Sequence, residues 1–172
     1  MKQNIVLTGF MGTGKSTVGK HVAGELDMGF IDTDHIIEHE QGMTISEIFS
    51  QKGEAYFREL ESKVVEKVAQ QENMVIATGG GVVLRSENMQ NLRKNGIIIR
   101  LKADVETILR NTSQNSNRPL LQHGDLRSRI EAILNQREAY YSNNDYEIDV
   151  SLLTVEQVVS MIMNIYRKEM EK

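Results

Sequence analysis

The stretch Ile5-Val6-Leu7-Thr8-Gly9-Phe10-Met11-Gly12-Thr13-Gly14-Lys15-Ser16-Thr17-Val18 decides the fold class. Its first four residues are apolar and β-branched for the most part, which suits a buried strand. Gly9 to Thr17 then satisfies G-x-x-x-x-G-K-[ST] in full. From Val18 to Leu26 a helix is predicted, with Val18, Val22 and Leu26 on one stripe. Strand, glycine loop and helix follow in the order that lets backbone N–H groups curl around an anion at a helix N-terminus. A glycine-rich turn that merely joins two elements would not need the lysine and the hydroxyl at those places. Lys15 can reach the β and γ phosphates and Ser16 can ligate Mg²⁺, so the motif predicts nucleoside triphosphate binding.

The rest of the composition narrows the class. With 172 residues, the chain fits one domain with a real core. A net charge of −4 argues against a binder of nucleic-acid backbone. The absence of cysteine excludes disulfides, thiol nucleophiles and thiolate metal sites, and is compatible with a reducing cytosol. Early apolar runs are cut by Gly9, Gly12, Gly14 and Lys15, and none approaches the ~20 apolar residues of a membrane span. The expectation is a cytoplasmic protein with no membrane partner.

Strands are predicted at Ile5–Thr8, Gly29–Asp32, Met74–Thr78, Gly96–Leu101 and Tyr146–Val150, separated mostly by segments of helical period. This alternation predicts an α/β fold with a parallel sheet covered by helices. Helical stripes run through Phe57, Leu60, Val64 and Val68, through Leu126, Ile130, Ile133, Leu134 and Tyr141, and through Val155, Val158, Val159, Ile162 and Tyr166. Between Asn111 and Asp125 no periodicity survives, and that stretch, which holds Pro119, is expected to be a mobile loop. Ligands of such sheets collect at the carboxyl ends of the strands.

Asp32-Thr33-Asp34 follows the second strand. Alternation along an extended chain would put both carboxylates on one side, where a cation must balance them. Mg²⁺ on a triphosphate would do so, with Asp32 near the metal and Asp34 free to accept from a substrate hydroxyl. The competing reading is an N-cap pair opening a helix at His35. The third strand ends in Thr78-Gly79-Gly80-Gly81, a run that lets a ligand approach bare backbone or serves as a plain turn. Arg137 falls inside an apolar arc, so it either snorkels outward or faces an anion. Arg58 has Glu54 and Glu61 at i−4 and i+3, which by itself predicts a surface ion pair. Arg118 in the loop could fold over a triphosphate, although a solvated arginine is the plainer reading. His35-Ile36-Ile37-Glu38-His39 has the H-x-x-E-H spacing of one zinc peptidase class, but no third ligand is evident and Ile36 with Ile37 suggests packing.

Together these residues resemble the shikimate kinase family, from Asn4 to about Asp149. The phosphate loop and Asp32-Thr33-Asp34 match its motifs. G-E-x-x-F-R-x-x-E corresponds to Gly53–Glu61, the glycine run to Thr78–Gly81, the lid to Arg118-Pro119-Leu120-Leu121, and R-x-x-Y to Arg137-Glu138-Ala139-Tyr140. The resemblance implies a P-loop fold of the nucleoside-monophosphate-kinase type, with a five-stranded parallel sheet in order 2-3-1-4-5. It implies one kinase domain over 1–172, a substrate-binding helical region near 33–62 and a mobile lid near 111–125. The implied reaction moves a phosphoryl group from ATP to the 3-hydroxyl of shikimate, on the route to chorismate. Lys15, Asp34 and Arg118 would be catalytic, and Gly12, Thr13, Gly14, Lys15, Ser16, Thr17, Arg110 and Arg118 would hold ATP. Asp34, Arg58, Gly80, Gly81 and Arg137 would hold shikimate, and Ser16 with Asp32 would hold Mg²⁺. The implied protein is a monomer.

Other readings stand beside this one. Another polyol or a nucleoside monophosphate could be the acceptor, yet paired arginines with aspartates suit a hydroxylated carboxylate better. A GTP switch lacks an N-K-x-D segment. A zinc peptidase rests on His35 and His39 alone.

Overall fold

The computed structural model describes residues 3–113 and 125–172. Five short apolar runs form one sheet: β1 (Asn4–Thr8), β2 (Gly29–Asp32), β3 (Met74–Ala77), β4 (Gly96–Lys102) and β5 (Tyr146–Asp149). All pairings are parallel, in the order β2-β3-β1-β4-β5. β1 lies centrally, with Leu7 opposite Ala77 on one side and Ile99 on the other. Parallel strands covered on both faces read as near-continuous apolar runs, and β1 is buried at every position.

Alternation along the strands divides the core. Ile5 and Leu7 face one layer, with α1 (Lys15–Leu26) and α8 (Val155–Met170). Val6, Ile76 and Ile98 face the other, which includes α4 (Glu54–Ala69), α5 (Ser86–Asn95) and α7 (Leu126–Tyr141). Between β2 and β3 the chain also makes α2 (Thr33–Gln41) and α3 (Ile45–Lys52), and after β4 it makes α6 (Val105–Thr112).

β1, β3, β4 and β5 each differ from the sequence expectations by one residue at one end, and two helix boundaries differ more. Helix α1 begins at Lys15, three residues before the apolar stripe, because the lysine and hydroxyls of the motif themselves form its first turn. Asn111 and Thr112 close α6 instead of opening an irregular loop. The Thr112 hydroxyl bonds back to the Ile108 carbonyl at 2.7 Å, which satisfies a polar side chain inside a helix. Asp125 caps α7 through Ser128. Residues 114–124 of the expected loop, including Arg118, lie outside the described residues.

Candidate active site

The carboxyl ends of β1, β2 and β3 open into one cavity of about 750 Å³. From β1 the chain passes into Gly9, whose φ of 138° is left-handed and whose missing Cβ would strike the Leu101 carbonyl. The loop is braced from within: Thr13 Oγ1 donates to the Phe10 carbonyl at 2.9 Å, and Asn111 Nδ2 donates to the Gly12 carbonyl at 2.8 Å. Lys15 is buried, and its ammonium donates to the carbonyls of Gly9 at 2.7 Å and Phe10 at 2.9 Å. Gly12, Gly14, Lys15, Ser16 and Thr17 all line the cavity.

Asp32 is the N-cap of α2, the plainer of its two sequence readings, and its second oxygen is held by Ser16. Its Oδ1 accepts from the backbone N–H groups of Asp34 and His35, capping α2, while Ser16 Oγ donates to its Oδ2 at 2.5 Å. A hydroxyl and a carboxylate oxygen meeting beside a phosphate loop are hard donors of the kind Mg²⁺ prefers. The extended geometry expected for Asp32-Thr33-Asp34 is corrected, because the chain becomes helical at Thr33. Asp34 therefore stands in the first turn of α2, and both carboxylates still line the cavity.

Further lining comes from α4, α7 and the glycine run, whose Gly80 packs against the phosphate loop at Met11 and Gly9. Arg58 is not on the surface: only 8% of it is exposed, its Nη1 donates to Glu61 at 2.9 Å and its Nη2 to Glu54 at 3.3 Å. The expected ion pair exists, but one partner, Glu61, is 1% exposed. Burial raises the Glu61 carboxyl above its usual range, against the opposing pull of the Arg58 charge and hydrogen bond. The guanidinium lies flat on Gly81, where a Cβ would come 2.5 Å from Arg58 Cζ. Arg137 is 6% exposed, so it faces the interior instead of snorkelling. Its Nη1 would be 3.8 Å from a Cβ on Gly80.

The motif R-x-x-Y pointed at Tyr140, which is 48% exposed. The buried tyrosine is its neighbour Tyr141, one helical turn from Arg137, whose hydroxyl donates to the Gly80 carbonyl at 2.6 Å. Burial pushes this phenol up, while the charge and hydrogen bond of Arg137 pull it down. Gly79 is tied to α2 through its N–H on Thr33 Oγ1 at 3.1 Å.

Asp34, Arg58, Gly80, Gly81 and Arg137 thus meet around the same cavity as the phosphate loop. Arg110 does not line it; exposed on α6, it bonds Thr107 Oγ1 at 3.4 Å. Phe49, Phe57, Glu61 and Asn111 line the cavity without having been singled out for it. Glu61 and Phe57 stood in the quoted motif, whereas Phe49 carried no signal and Asn111 stood in the stretch expected to be a loop. His35 lines the cavity too, but among the described residues no group of three or more His, Asp or Glu side chains is arranged to hold a metal.

A parallel sheet in this order, with a phosphate loop after its central strand and two buried arginines in the same cavity, defines a P-loop phosphotransferase of the nucleoside-monophosphate-kinase type. The family profile described as shikimate kinase matches residues 11–167. A shikimate kinase of Caldanaerobacter subterraneus is 54% identical over 166 residues, covering 96% of this chain and 97% of that protein. One of Thermoanaerobacter pseudethanolicus is 51% identical, covering 95% and 96%. Among solved structures, shikimate kinase from Acinetobacter baumannii in complex with shikimate superposes with a TM-score of 0.95 at 34% identity, over 100% of this chain and 97% of that one. The chain belongs to the shikimate kinase family of ATP-dependent phosphotransferases.

Proposed function

We propose that the protein transfers the γ-phosphoryl group of ATP to the 3-hydroxyl of shikimate. The observation that carries this reading is the meeting of two buried arginines and Asp34 in one cavity with the phosphate loop. A planar guanidinium is suited to a carboxylate, and two of them with an aspartate suit an acceptor bearing both a carboxylate and hydroxyls.

In this reading Gly12 to Thr17, Lys15 among them, hold the triphosphate, and Arg110, although it lies outside the cavity lining, would contact the adenine from α6. Arg58 and Arg137 grip the shikimate carboxylate, while Asp34 and the backbone of Gly80 and Gly81 hold ring hydroxyls. The 3-hydroxyl oxygen forms its bond to the γ-phosphorus as the bond to the bridging β–γ oxygen breaks. Asp34 orients that hydroxyl or takes its proton, and ADP leaves. Lys15 stabilises charge on the transferring group, and Arg118 joins it from a lid around 111–125. Ser16 and Asp32 would hold Mg²⁺, which when bound neutralises phosphate charge. The whole chain, 1–172, acts as one kinase domain with 33–62 as its acceptor-binding part, working as a monomer in the cytoplasm. No helix among the described residues is long and apolar enough to cross a membrane.

A coupled assay of ADP release tests the assignment. Turnover with ATP and shikimate is expected; turnover on a different acceptor with none on shikimate would overturn it.

A further inference from the structure

Tyr141 has no part in the reaction as described above, yet it is held more tightly than packing requires. Its ring is 1% exposed and its hydroxyl donates to the Gly80 carbonyl at 2.6 Å. Beside the ring stands Arg100 of β4, with its guanidinium carbon 5.1 Å from the ring centroid. Arg100 is 3% exposed and is itself fixed, by two hydrogen bonds to Glu138 at 2.9 and 2.8 Å and one to Glu147 at 2.9 Å. Glu138 adjoins Arg137 on α7, so the pairing that locates the phenol also sets the helix turn that carries Arg137.

The Gly80 carbonyl and the Gly81 N–H belong to one peptide unit. Such a unit is planar and trans, so its C=O and N–H point in opposite directions. Securing the carbonyl on Tyr141 therefore aims the Gly81 N–H away from that phenol. Between two glycines this control matters, because rotating the plane requires changes in Gly80 ψ and Gly81 φ that no Cβ opposes. Neighbouring groups have anchors of their own: the Gly79 N–H bonds Thr33, the Gly79 carbonyl accepts from Val82 at 3.1 Å, and the Gly81 carbonyl accepts from Leu84 at 3.1 Å. For the plane between Gly80 and Gly81 the anchor is Tyr141.

We propose that Tyr141 is a positioning residue for the acceptor: a latch that fixes the Gly80–Gly81 peptide plane so that the Gly81 N–H meets a ring hydroxyl of the bound substrate. This rests on the shikimate reading above for the identity of the acceptor. The latch itself does not.

Tyr141→Phe removes the hydroxyl and leaves the ring volume. In ¹⁵N-labelled protein without substrate, the Gly81 amide resonance is expected to shift or broaden by exchange, while amides of β1 and β4 stay in place. With ATP and shikimate, the shikimate KM should rise about tenfold, in keeping with one lost hydrogen bond that aims another, and kcat should change by less than about threefold. The ATP KM should hold, and Tm should move by no more than about 3 °C. Deoxy analogues supply a further readout. Removing either the 4- or the 5-hydroxyl should weaken binding to the wild type, and for one of the two that penalty should largely vanish in the variant. An unmoved Gly81 resonance overturns the latch whether or not the shikimate KM rises, because the lost hydroxyl also accepts from Arg137. So does a joint rise of both KM values with a falling Tm, which is what a purely structural tyrosine gives. Absence of shikimate turnover by the wild type would sink the function instead, and the amide resonance would still decide the latch.

Discussion

Arg58 and Glu61 meet at 2.9 Å with side chains that are 9% and 1% exposed, so this part of the cavity lining rests on an ion pair closed off from water. Their spacing is that of an ordinary surface pair. What differs is the rotation of α4, which turns this edge of the helix beneath Gly79 and Gly81. A Cβ on Gly79 would come within 2.9 Å of Glu61 Oε2, and one on Gly81 would overlap Arg58.

Glu61→Gln should change how stability depends on pH. Burial raises the Glu61 carboxyl above its ordinary value of 4.5 in the folded protein. Between 4.5 and that higher value the folded chain keeps a proton the unfolded chain has lost, so stability falls as pH rises through the window. Glutamine does not titrate. Urea midpoints of the wild type should therefore decline relative to Glu61→Gln from about pH 4.5 towards neutrality. A relative gain by the wild type over the same range would show that pairing with Arg58 outweighs burial.

Gly81→Ala should separate folding from binding. Gly81 has φ −98° and ψ 6°, which alanine can adopt, so the backbone is not strained. The added methyl instead lands on the Arg58 guanidinium. Arg58 must swing away from its buried partner Glu61, at a stability cost of about 3 kcal/mol. The shikimate KM is expected to rise on the order of tenfold or more, because a displaced guanidinium loses its bidentate geometry. Titration of binding and a melting curve on the same preparation check both halves. A large Tm loss with unchanged shikimate affinity would contradict the placement.

The sequence made the sheet legible because its inner strands β1, β3 and β4 are buried almost throughout and all five lie between helical repeats. Ile97, Ile98 and Ile99 announce β4 by composition alone, and their burial is complete or nearly so. The phosphate loop and Asp32 were legible for a related reason, since their chemistry is carried by neighbours in the chain. Arg58 with Glu61, and Tyr140 with Tyr141, were not. In each case the decision between surface and interior depends on how a helix is rotated against the sheet, and adjacent tyrosines on one helix sit about 100° apart. Asn111 was hidden for another reason: a polar residue in a polar stretch reveals its partner, the Gly12 carbonyl, only when α6 is placed beside the loop.

Arg100→Met should cost stability in a pH-dependent way. The arginine is buried, but Glu138 and Glu147 are 49% and 40% exposed, so each can rehydrate when the cation is removed. The loss should be about 1–2 kcal/mol at neutral pH, below that of a fully buried pair. The hydrogen bond to Arg100, with its charge, holds Glu138 below its ordinary carboxyl range. A depressed carboxyl contributes stability above the unfolded value that disappears as pH falls through the folded one. The gap between wild type and variant should thus narrow in acid, as urea unfolding at pH 7 and in the range below about pH 4 would reveal. A gap that stays constant would mean that packing on Tyr141, and not the ion pairs, is what Arg100 supplies.

Arg137→Lys keeps a charge and removes the planar fork. Arg137 is 6% exposed, lies near Gly80 and lines the cavity, and in the proposed reading it grips the acceptor carboxylate. A guanidinium offers two parallel N–H bonds to a carboxylate, whereas an ammonium offers a point charge on a flexible stem. The shikimate KM should therefore rise on the order of tenfold in Arg137→Lys and further in Arg137→Ala. Loss of binding common to ground and transition states leaves kcat comparatively intact. The ATP KM should stay within about twofold, since uniform loss on the acceptor side does not touch the phosphate loop. Initial-rate measurements with each substrate varied in turn decide the matter. An unchanged shikimate KM in Arg137→Ala would remove this arginine from the clamp.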